Sequence, residues 1–372
     1  MTKICGLVSN GPDPVLSEIL EKMYNASWQE NHIRREMWHD SYAGLGHFNI
    51  GAVNTEPQPL FTTDGNGAIV YCGMIFDYTH LKKDLIAKGA TFSLKDNDAE
   101  FMLHFLGQGG LEHLSRINGI FSLACWDRIN RKLTLVNDRY GYRPIYYYHN
   151  PEKEKFFFSS DLRGVLESGY ISWEINWEAC STFLHFGHHL GNMTSFRNIF
   201  VLPPASVLTC VNNQVLIESY WDPCSIPVNE HMKYPEAVEG SVHYFSESMK
   251  RRNEGISSSK MVFLSGGLDS RRIAAELKHQ GGEFKTYTTR GFNTLTSNRI
   301  LAAQVAAALG VPNQFVNLPS HNFLLRYWPR CNALLDYETN LHQWLLPLVE
   351  SLPLRAGVNF DGIAGDIIFN GV

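Results

Sequence analysis

The chain of 372 residues is long enough for two or three domains, and its 44% hydrophobic and 19% charged residues are ordinary for a globular protein. The net charge of −5 and the pI near 6.3 give no electrostatic basis for binding nucleic acid or an anionic membrane. The seven cysteines are scattered without a Cys-x-x-Cys pair, which argues against a zinc site and a disulfide framework. The N-terminus lacks a basic region followed by an apolar run, and no uncharged run is long enough for a membrane span. The sequence therefore predicts a cytoplasmic protein.

The first half of the chain carries many short strand patterns and few helical ones. Residues 4–8 form an apolar run that ends at a turn, and a helical pattern follows at 16–24. Further strand patterns lie at 68–76, 120–126, 132–136 and 144–148, and an amphipathic helix is predicted at 99–108. Strands at such short spacing predict stacked, largely antiparallel sheets.

Two stretches of this half have a recognisable order. Residues 118–127 read NGIFSLACWD and residues 137–147 read NDRYGYRPIYY, followed by FSSDL at 158–162, LPPA at 202–205 and YW at 220–221. They resemble the class II glutamine amidotransferase domain of the asparagine synthetase family. The resemblance implies an N-terminal-nucleophile (Ntn) fold over residues 1–222, in which two antiparallel sheets lie between helical layers (αββα).

In that family a cysteine attacks the glutamine amide, and its own free α-amine serves as the base. The resemblance assigns this role to Cys5 in the segment CGLV, but Met1 to Ile4 stand in front of it. Removal of the initiator methionine alone would expose Thr2, which is three residues out of register with the motif. We therefore expect Cys5 to be a buried, inactive residue unless a further cleavage exposes its amine.

The residues that hold glutamine in the family are also altered. Asn49 stands where the family has an arginine that grips the substrate carboxylate, so the bidentate fork is lost. Cys72 and Met74 replace an asparagine and a glutamate, and only Asp98 remains as a candidate ligand for the substrate α-ammonium. These changes predict a degenerate glutaminase.

The second half alternates strand and helix patterns after a proline-flanked hinge at 223–227. A helix is predicted at 234–252, strands at 260–264, 284–289 and 314–318, and helices at 271–277 and 298–309 between them. This alternation predicts a right-handed parallel sheet with helices on both faces, in a domain from residue 223 to 372. Nucleotides bind such sheets at the carboxyl ends of the strands.

The segment FLSGGLDS at 263–270 predicts an anion site at one of those strand ends. Gly266 and Gly267 let backbone N–H groups approach a phosphate, Ser265 and Ser270 add hydroxyl donors, and the helix N-terminus favours negative charge. Asp269 would then hold a metal. The order of residues resembles the pyrophosphate (PP) loop of N-type ATP pyrophosphatases, which have an adenine nucleotide α-hydrolase-like fold and adenylate a substrate with ATP and Mg²⁺.

Residues 359–371, which read NFDGIAGDIIFNG, resemble the second synthetase motif of the same family. The resemblance places Gly362 beside the α-phosphate and adenosine, and it assigns Asp366 to magnesium together with Asp269. It also adds Leu264 and Thr289 to the residues expected to bind ATP.

Two apolar residues depart from that motif and bear on the product. Ile363 and Ile367 replace acidic residues of asparagine synthetases, and an apolar side chain cannot orient ammonia or take its proton. The motif also ends next to Val372, whereas family members continue, so we expect the sequence to be truncated at its C-terminus. These features predict an AMP-forming, ATP-dependent ligase that joins a small-molecule or peptide carboxylate to an amine or ammonia.

Two alternative functions remain open from the sequence. In the first, processing exposes Cys5, and the protein is a glutamine-dependent asparagine synthetase with an internal ammonia path. In the second, the loop binds nucleotide without turnover, and the protein is a non-catalytic binding protein or scaffold. All of these functions imply small-molecule or peptide partners rather than nucleic acid or membrane, and a homodimer is compatible with each.

Overall fold

The computed structural model describes residues 2–28, 33–76, 78–254, 256, 258–290, 296–318, 323–336, 345–352 and 357–362. The chain divides into two units, one of Met1–Pro227 with Leu335–Thr339 and one of Val228–Leu334 with Asn340–Val372. The domain boundary predicted between residues 222 and 223 stays a prediction. In the described ranges, no helix combines the length and the apolar character that crossing a membrane requires.

The first unit consists mainly of strands. Its described strands are β1 (Lys3–Ser9), β2 (Arg34–His39), β3 (Ala43–Asn49), β4 (Leu60–Phe61), β5 (Gly67–Ile75), β6 (Gly119–Asp127), β7 (Lys132–Asn137), β8 (Tyr146–Tyr148), β9 (Lys155–Ser159), β10 (Ile199–Val201), β11 (Ser206–Val211) and β12 (Gln214–Ser219). Its described α-helices are α1 (Leu16–Ser27), α2 (Thr79–Ala87), α3 (Asp98–Gly107), α4 (Leu162–Leu166) and α5 (Trp177–Phe186), and the segments Gly110–Arg116 and Pro223–Ser225 are 3₁₀-helical.

These strands form two sheets in which neighbouring strands run antiparallel. The first sheet has the order β10-β8-β9-β1-β3-β2, and the second has the order β12-β11-β7-β6-β5-β4. One apolar core lies between the sheets and contains Ile4 of β1, Val70 of β5 and Trp126 of β6. Two more cores pack the outer faces of the sheets against helices, one with α1 and α4 and the other with α2 and α3. The predicted αββα arrangement of antiparallel sheets is therefore confirmed.

Helix α1 shows why the layers form. It buries Leu16, Ile19, Leu20, Met23 and Tyr24, which recur at helical spacing and face the first sheet. Each large apolar side chain buried in this way stabilises the fold by about 1.5–3 kcal/mol relative to exposure. The helices predicted at 16–24 and 99–108 are present as α1 and α3, and the strand predicted at 144–148 is present as β8. Strand β10 was not predicted, because it is only three residues long.

The second unit alternates strands and helices. Its described elements are α6 (Tyr234–Asn253), β13 (Lys260–Phe263), α7 (Leu268–His279), β14 (Lys285–Arg290), α8 (Thr296–Leu309), β15 (Asn313–Asn317), α9 (Phe323–Leu334), α10 (Leu345–Glu350) and β16 (Val358–Phe360). The sheet has the order β15-β14-β13-β16, and all of its described pairs are parallel.

Both faces of this sheet are covered, as the alternating pattern predicted. On one face, Val262 and Leu264 pack with residues of α7 and α8. On the other face, Met261 and Tyr287 pack with Leu348 of α10. Because all of the strands are parallel, their carboxyl ends meet at one edge, and that edge receives the loop between β13 and α7.

Candidate functional site

The loop after β13 leaves the sheet at its carboxyl edge and is tied to β14. The backbone N–H of Leu264 donates to the carbonyl of Tyr287 at 2.8 Å, and the hydroxyl of Thr288 donates to the carbonyl of Leu264 at 2.9 Å. These two bonds fix the point at which the chain turns out of the sheet. Thr289, one of the expected ATP-binding residues, follows Thr288 on the same strand.

Two glycines shape the turn itself. Gly266 has φ +82°, and a Cβ there would lie 2.4 Å from the carbonyl oxygen of Asn298, so no other residue fits without a shift. Gly267 is the N-cap of α7, and its position has no side-chain cap hydrogen bond. The first amides of α7 therefore form the kind of helix N-terminus that attracts an anion.

The two serines of the loop face each other. Their hydroxyl oxygens are 3.1 Å apart, and the backbone N–H of Ser265 donates to the Ser270 hydroxyl at 3.2 Å. The backbone N–H of Gly267 donates to the Ser265 hydroxyl at 3.2 Å. Ser270 is buried and Ser265 is exposed, so the pair connects the buried side of the loop to its solvent-exposed side.

The second motif meets the loop at the same edge. A Cβ added to Gly362 would lie 2.9 Å from the Cβ of Asp269, so the segment that follows β16 passes directly against the first turn of α7. The structure thus brings together Gly362 and Asp269, which are 93 residues apart in the chain. Asp366, the second expected magnesium ligand, lies outside the described residues.

Of the two expected magnesium ligands, only Asp269 lies among the residues that the structure describes. Among them, no group of three or more His, Cys, Asp or Glu side chains is arranged to hold a metal. Asp269 is partly exposed at the loop and supplies the hard oxygen that Mg²⁺ prefers. One carboxylate is consistent with Mg²⁺, which binds through one or two carboxylates together with phosphate oxygens and water.

Arg271 is a residue of the loop region that the sequence patterns did not single out. It lies in the first turns of α7, and its Nε donates to the carbonyl oxygen of Gly267 at 3.1 Å. A basic residue at the start of a helix is unfavourable because it opposes the helix dipole. This unusual position in the sequence could have identified Arg271 as a candidate functional residue.

In the first unit, Cys5 lies in the middle of β1, paired with Gly46 of β3 and Ser159 of β9. Its side chain is fully buried in the core on the α1 side of the sheet, against Tyr24. Burial, together with the charge of Asp161, raises the pKa of the Cys5 thiol well above its usual value. This environment disfavours the thiolate that a nucleophile needs.

Thr2 lies at the other face of β1. Its hydroxyl oxygen is 3.2 Å from the sulfur of Cys72, and the Cys72 thiol donates to the Thr2 carbonyl at 2.8 Å. Cys72 is one of the residues that the resemblance places at the glutamine site. Thr2, which directly precedes β1, therefore contacts Cys72, whereas Cys5 lies in the core on the α1 side of the sheet.

Asp98, at the first position of α3, is held by Asn54. The Asn54 side chain donates to Asp98 Oδ2 and to the carbonyl of Gly73, both at 3.2 Å, and its Oδ1 accepts the backbone N–H of Asp98 at 2.8 Å. Asp98 Oδ2 also accepts the backbone N–H of Ile75 at 3.1 Å. Burial raises the pKa of Asp98 to about 6, although these hydrogen bonds act in the opposite direction.

Asn49 is fully buried and also bonded within the protein. Its side-chain nitrogen lies 3.4 Å from the carbonyl oxygen of Thr55 and 3.4 Å from a carboxylate oxygen of Glu36. The other Glu36 oxygen lies 2.6 Å from Nδ1 of His47. No sequence pattern predicted Asn54 or Glu36, because their partners are distant along the chain.

Two family profiles match the chain over separate ranges. The sequence profile of the glutamine amidotransferase domain matches residues 1–221, and that of asparagine synthase matches residues 246–371. The chain belongs to the glutamine amidotransferase domain family, whose profile covers more than half of it. The resemblance to the asparagine synthetase family that the motifs predicted is confirmed, because both domain profiles match in the expected order.

Individual relatives are distant. The chain is 27% identical over 281 residues to asparagine synthetase [glutamine-hydrolyzing] 1 of Bacillus subtilis, which covers 74% of this chain and 43% of that protein. It is 24% identical over 290 residues to amidase chry2 of Gibberella zeae, which covers 73% of this chain and 40% of that protein. The chain thus spans less than half the length of these relatives.

Among solved structures, a glutamine aminotransferase class-II domain protein from Silicibacter pomeroyi is 14% identical. The match has a TM-score of 0.34 and covers 59% of this chain and 100% of that one.

Proposed function

We propose that the second unit activates a carboxylate with ATP and transfers the acyl group to an amine or to ammonia. The observation that carries the proposal is the meeting of Gly362 and Asp269 at the N-terminus of α7. Both belong to motifs that resemble an ATP pyrophosphatase, and they come together at the strand edge where nucleotides bind. The asparagine synthase match over 246–371 supports the same reaction class.

The proposed reaction has two steps. A carboxylate oxygen of the substrate attacks the α-phosphorus of ATP, the bond to the bridging oxygen breaks, and pyrophosphate leaves. The nitrogen of the acceptor then attacks the acyl carbon, the bond to AMP breaks, and the nitrogen loses a proton. The products are an amide, AMP and pyrophosphate.

The residues of the loop would supply binding and orientation. The amides at the start of α7 and the hydroxyls of Ser265 and Ser270 would donate to phosphate oxygens, while the lack of a side chain at Gly362 leaves room against Asp269. Asp269, with Asp366, would hold magnesium, which neutralises phosphate charge when it is bound. We place the reaction in the cytoplasm, because the seven cysteines are free thiols.

We also propose that the first unit does not hydrolyse glutamine. Asn54 donates to the carboxylate that would bind the substrate α-ammonium, and Asn49 contacts Glu36 and Thr55 where the family has an arginine. Side chains of the protein thus already make hydrogen bonds at positions where a bound glutamine would have to make them. The buried thiol of Cys5 supports the same proposal.

The ligase proposal is tested by following AMP and pyrophosphate release from ATP. The full chain would be incubated with amino-acid and peptide carboxylates, with ammonium or methylamine as acceptor. We expect AMP formation that depends on the carboxylate and that Asp269→Asn reduces at least about a hundredfold, because the metal ligand is lost. Glu283→Gln is the matched control, since it removes an exposed carboxylate of the same unit. Binding of ATP without AMP formation would contradict turnover and favour a nucleotide-binding protein.

The glutaminase proposal is tested by measuring glutamate released from glutamine. We expect no release above the rate without enzyme, and no change in Cys5→Ala. Release that Cys5→Ala abolishes would show that the cysteine is active and would overturn the proposal. If Thr2→Ala abolished glutamate release and Cys5→Ala did not, the nucleophile would lie beside Cys72. That result would also overturn the proposal.

A further inference from the structure

The side chain of Arg271 folds back over the phosphate loop. Arg271 is the fourth residue of α7, and both its backbone N–H and its side-chain Nε donate to the carbonyl of Gly267, at 3.4 and 3.1 Å. Helical side chains lean towards the N-terminus of their helix, so this conformation follows from the position. The guanidinium group is consequently held at the mouth of the loop.

The charge of Arg271 is unfavourable at this position in the absence of an anion. The N-terminus of a helix carries a partial positive charge, which repels a cation in the first turns. In the part of the chain that the structure describes, Arg271 makes no ion pair, and its side-chain hydrogen bond goes to the neutral Gly267 carbonyl. A guanidinium group has five N–H donors, and Nε uses one.

We propose that Arg271 binds the pyrophosphate portion of ATP, an inference that rests on the proposed nucleotide-binding function of the loop. Asp269 and Arg271 are two residues apart and point about 200° away from each other around the helix axis. Asp269 faces Gly362, on the side expected for the α-phosphate. Arg271 instead lies against the Gly267 carbonyl, within the loop expected to hold the distal phosphates, whose oxygens fit the planar guanidinium fork.

The experiment compares ligands that share the nucleoside but differ in the distal phosphates. Binding of ATP, inorganic pyrophosphate and AMP to the full chain would be measured by titration calorimetry in magnesium chloride buffer. We expect Arg271→Ala to weaken ATP and pyrophosphate binding about tenfold to a hundredfold, the usual range for a charge-assisted pair, and to leave AMP binding within about twofold. Arg271→Lys should recover part of the loss, because it keeps the charge without the fork.

Two controls separate this role from a structural one. Lys278→Ala removes a cation from the opposite end of α7 and should leave all three affinities unchanged. Arg271→Gln keeps a donor for the Gly267 carbonyl and should fold as the wild type does while still losing pyrophosphate affinity.

Each outcome separates the inference from the function on which it rests. Wild-type affinity for pyrophosphate in Arg271→Ala or Arg271→Gln would overturn the inference while the nucleotide site stands. Equal losses of AMP and pyrophosphate affinity would show that Arg271 shapes the loop instead. A wild-type protein that binds neither ATP nor pyrophosphate would refute the proposed function and the inference together.

Discussion

Replacement of Asp98 by asparagine tests how the glutamine-site residues are held. Asp98 is 5% exposed, and its Oδ2 accepts hydrogen bonds from the Asn54 side chain and the Ile75 backbone. An asparagine oxygen at the same place would accept both bonds. Asp98→Asn therefore removes the titration and keeps the two contacts.

The pKa of Asp98 sets the magnitude of the effect. Burial raises this pKa from the ordinary 3.8 to about 6, so the folded protein binds a proton that the unfolded chain has already lost. The stability that the protonated form provides is present below about pH 4 and is lost as the pH rises to about 6. Two pKa units correspond to about 3 kcal/mol, so Asp98→Asn should be more stable than the wild type above about pH 7 by up to about 3 kcal/mol.

Urea unfolding between about pH 4 and about pH 8, followed by tryptophan fluorescence, measures this difference. The wild type should lose stability with rising pH over the lower part of that range, and Asp98→Asn should lose less. Asp84→Asn is the control, since it removes an exposed carboxylate that pairs only weakly with Arg116. Parallel pH profiles for the wild type and Asp98→Asn would refute the reasoning.

Two further predictions concern the loop and the motif cysteine. Gly266→Ala should destabilise the second unit by roughly 1–2 kcal/mol or more and abolish ATP binding, because the position needs positive φ and has no space for a Cβ; urea unfolding and ATP titration measure both effects. Gly240→Ala, in the open interior of α6, should instead be neutral or stabilise by about 0.5–1 kcal/mol, and equal effects of the two variants would contradict the loop geometry. Iodoacetamide should label the exposed Cys224 in the folded protein and Cys5 only after urea is added, as peptide mass mapping would show; rapid labelling of folded Cys5 would contradict its burial.

The turn between β13 and α7 and the order of elements could be predicted from the sequence because the interactions that form them are local. The hydroxyl pair of Ser265 and Ser270 closes over five residues, and the glycines between them permit the turn. The alternation of strand and helix in the second half likewise follows from short-range patterns, and it was sufficient to predict a parallel sheet.

The sequence alone could not decide which face of β1 each residue occupies. Both faces of β1 are buried, so its apolar run lacks the alternation that would separate them. Only the packing of α1 on one face and the second sheet on the other places Cys5 against Tyr24 and Thr2 against Cys72. The motif identified the cysteine, but the tertiary structure determined its environment.

The contacts of the glutamine-site residues depend on the fold in the same way. Asn54 and Asp98 are 44 residues apart, and Thr2 and Cys72 are 70 apart. Their meeting depends on sheet register and on the seating of α3, which arise from the sum of many apolar contacts and not from any local pattern. The sequence by itself determined the family resemblance, the order of elements and the turn between β13 and α7. The tertiary structure decided which side chains contact the positions expected to bind glutamine, because long-range packing alone brings those groups together.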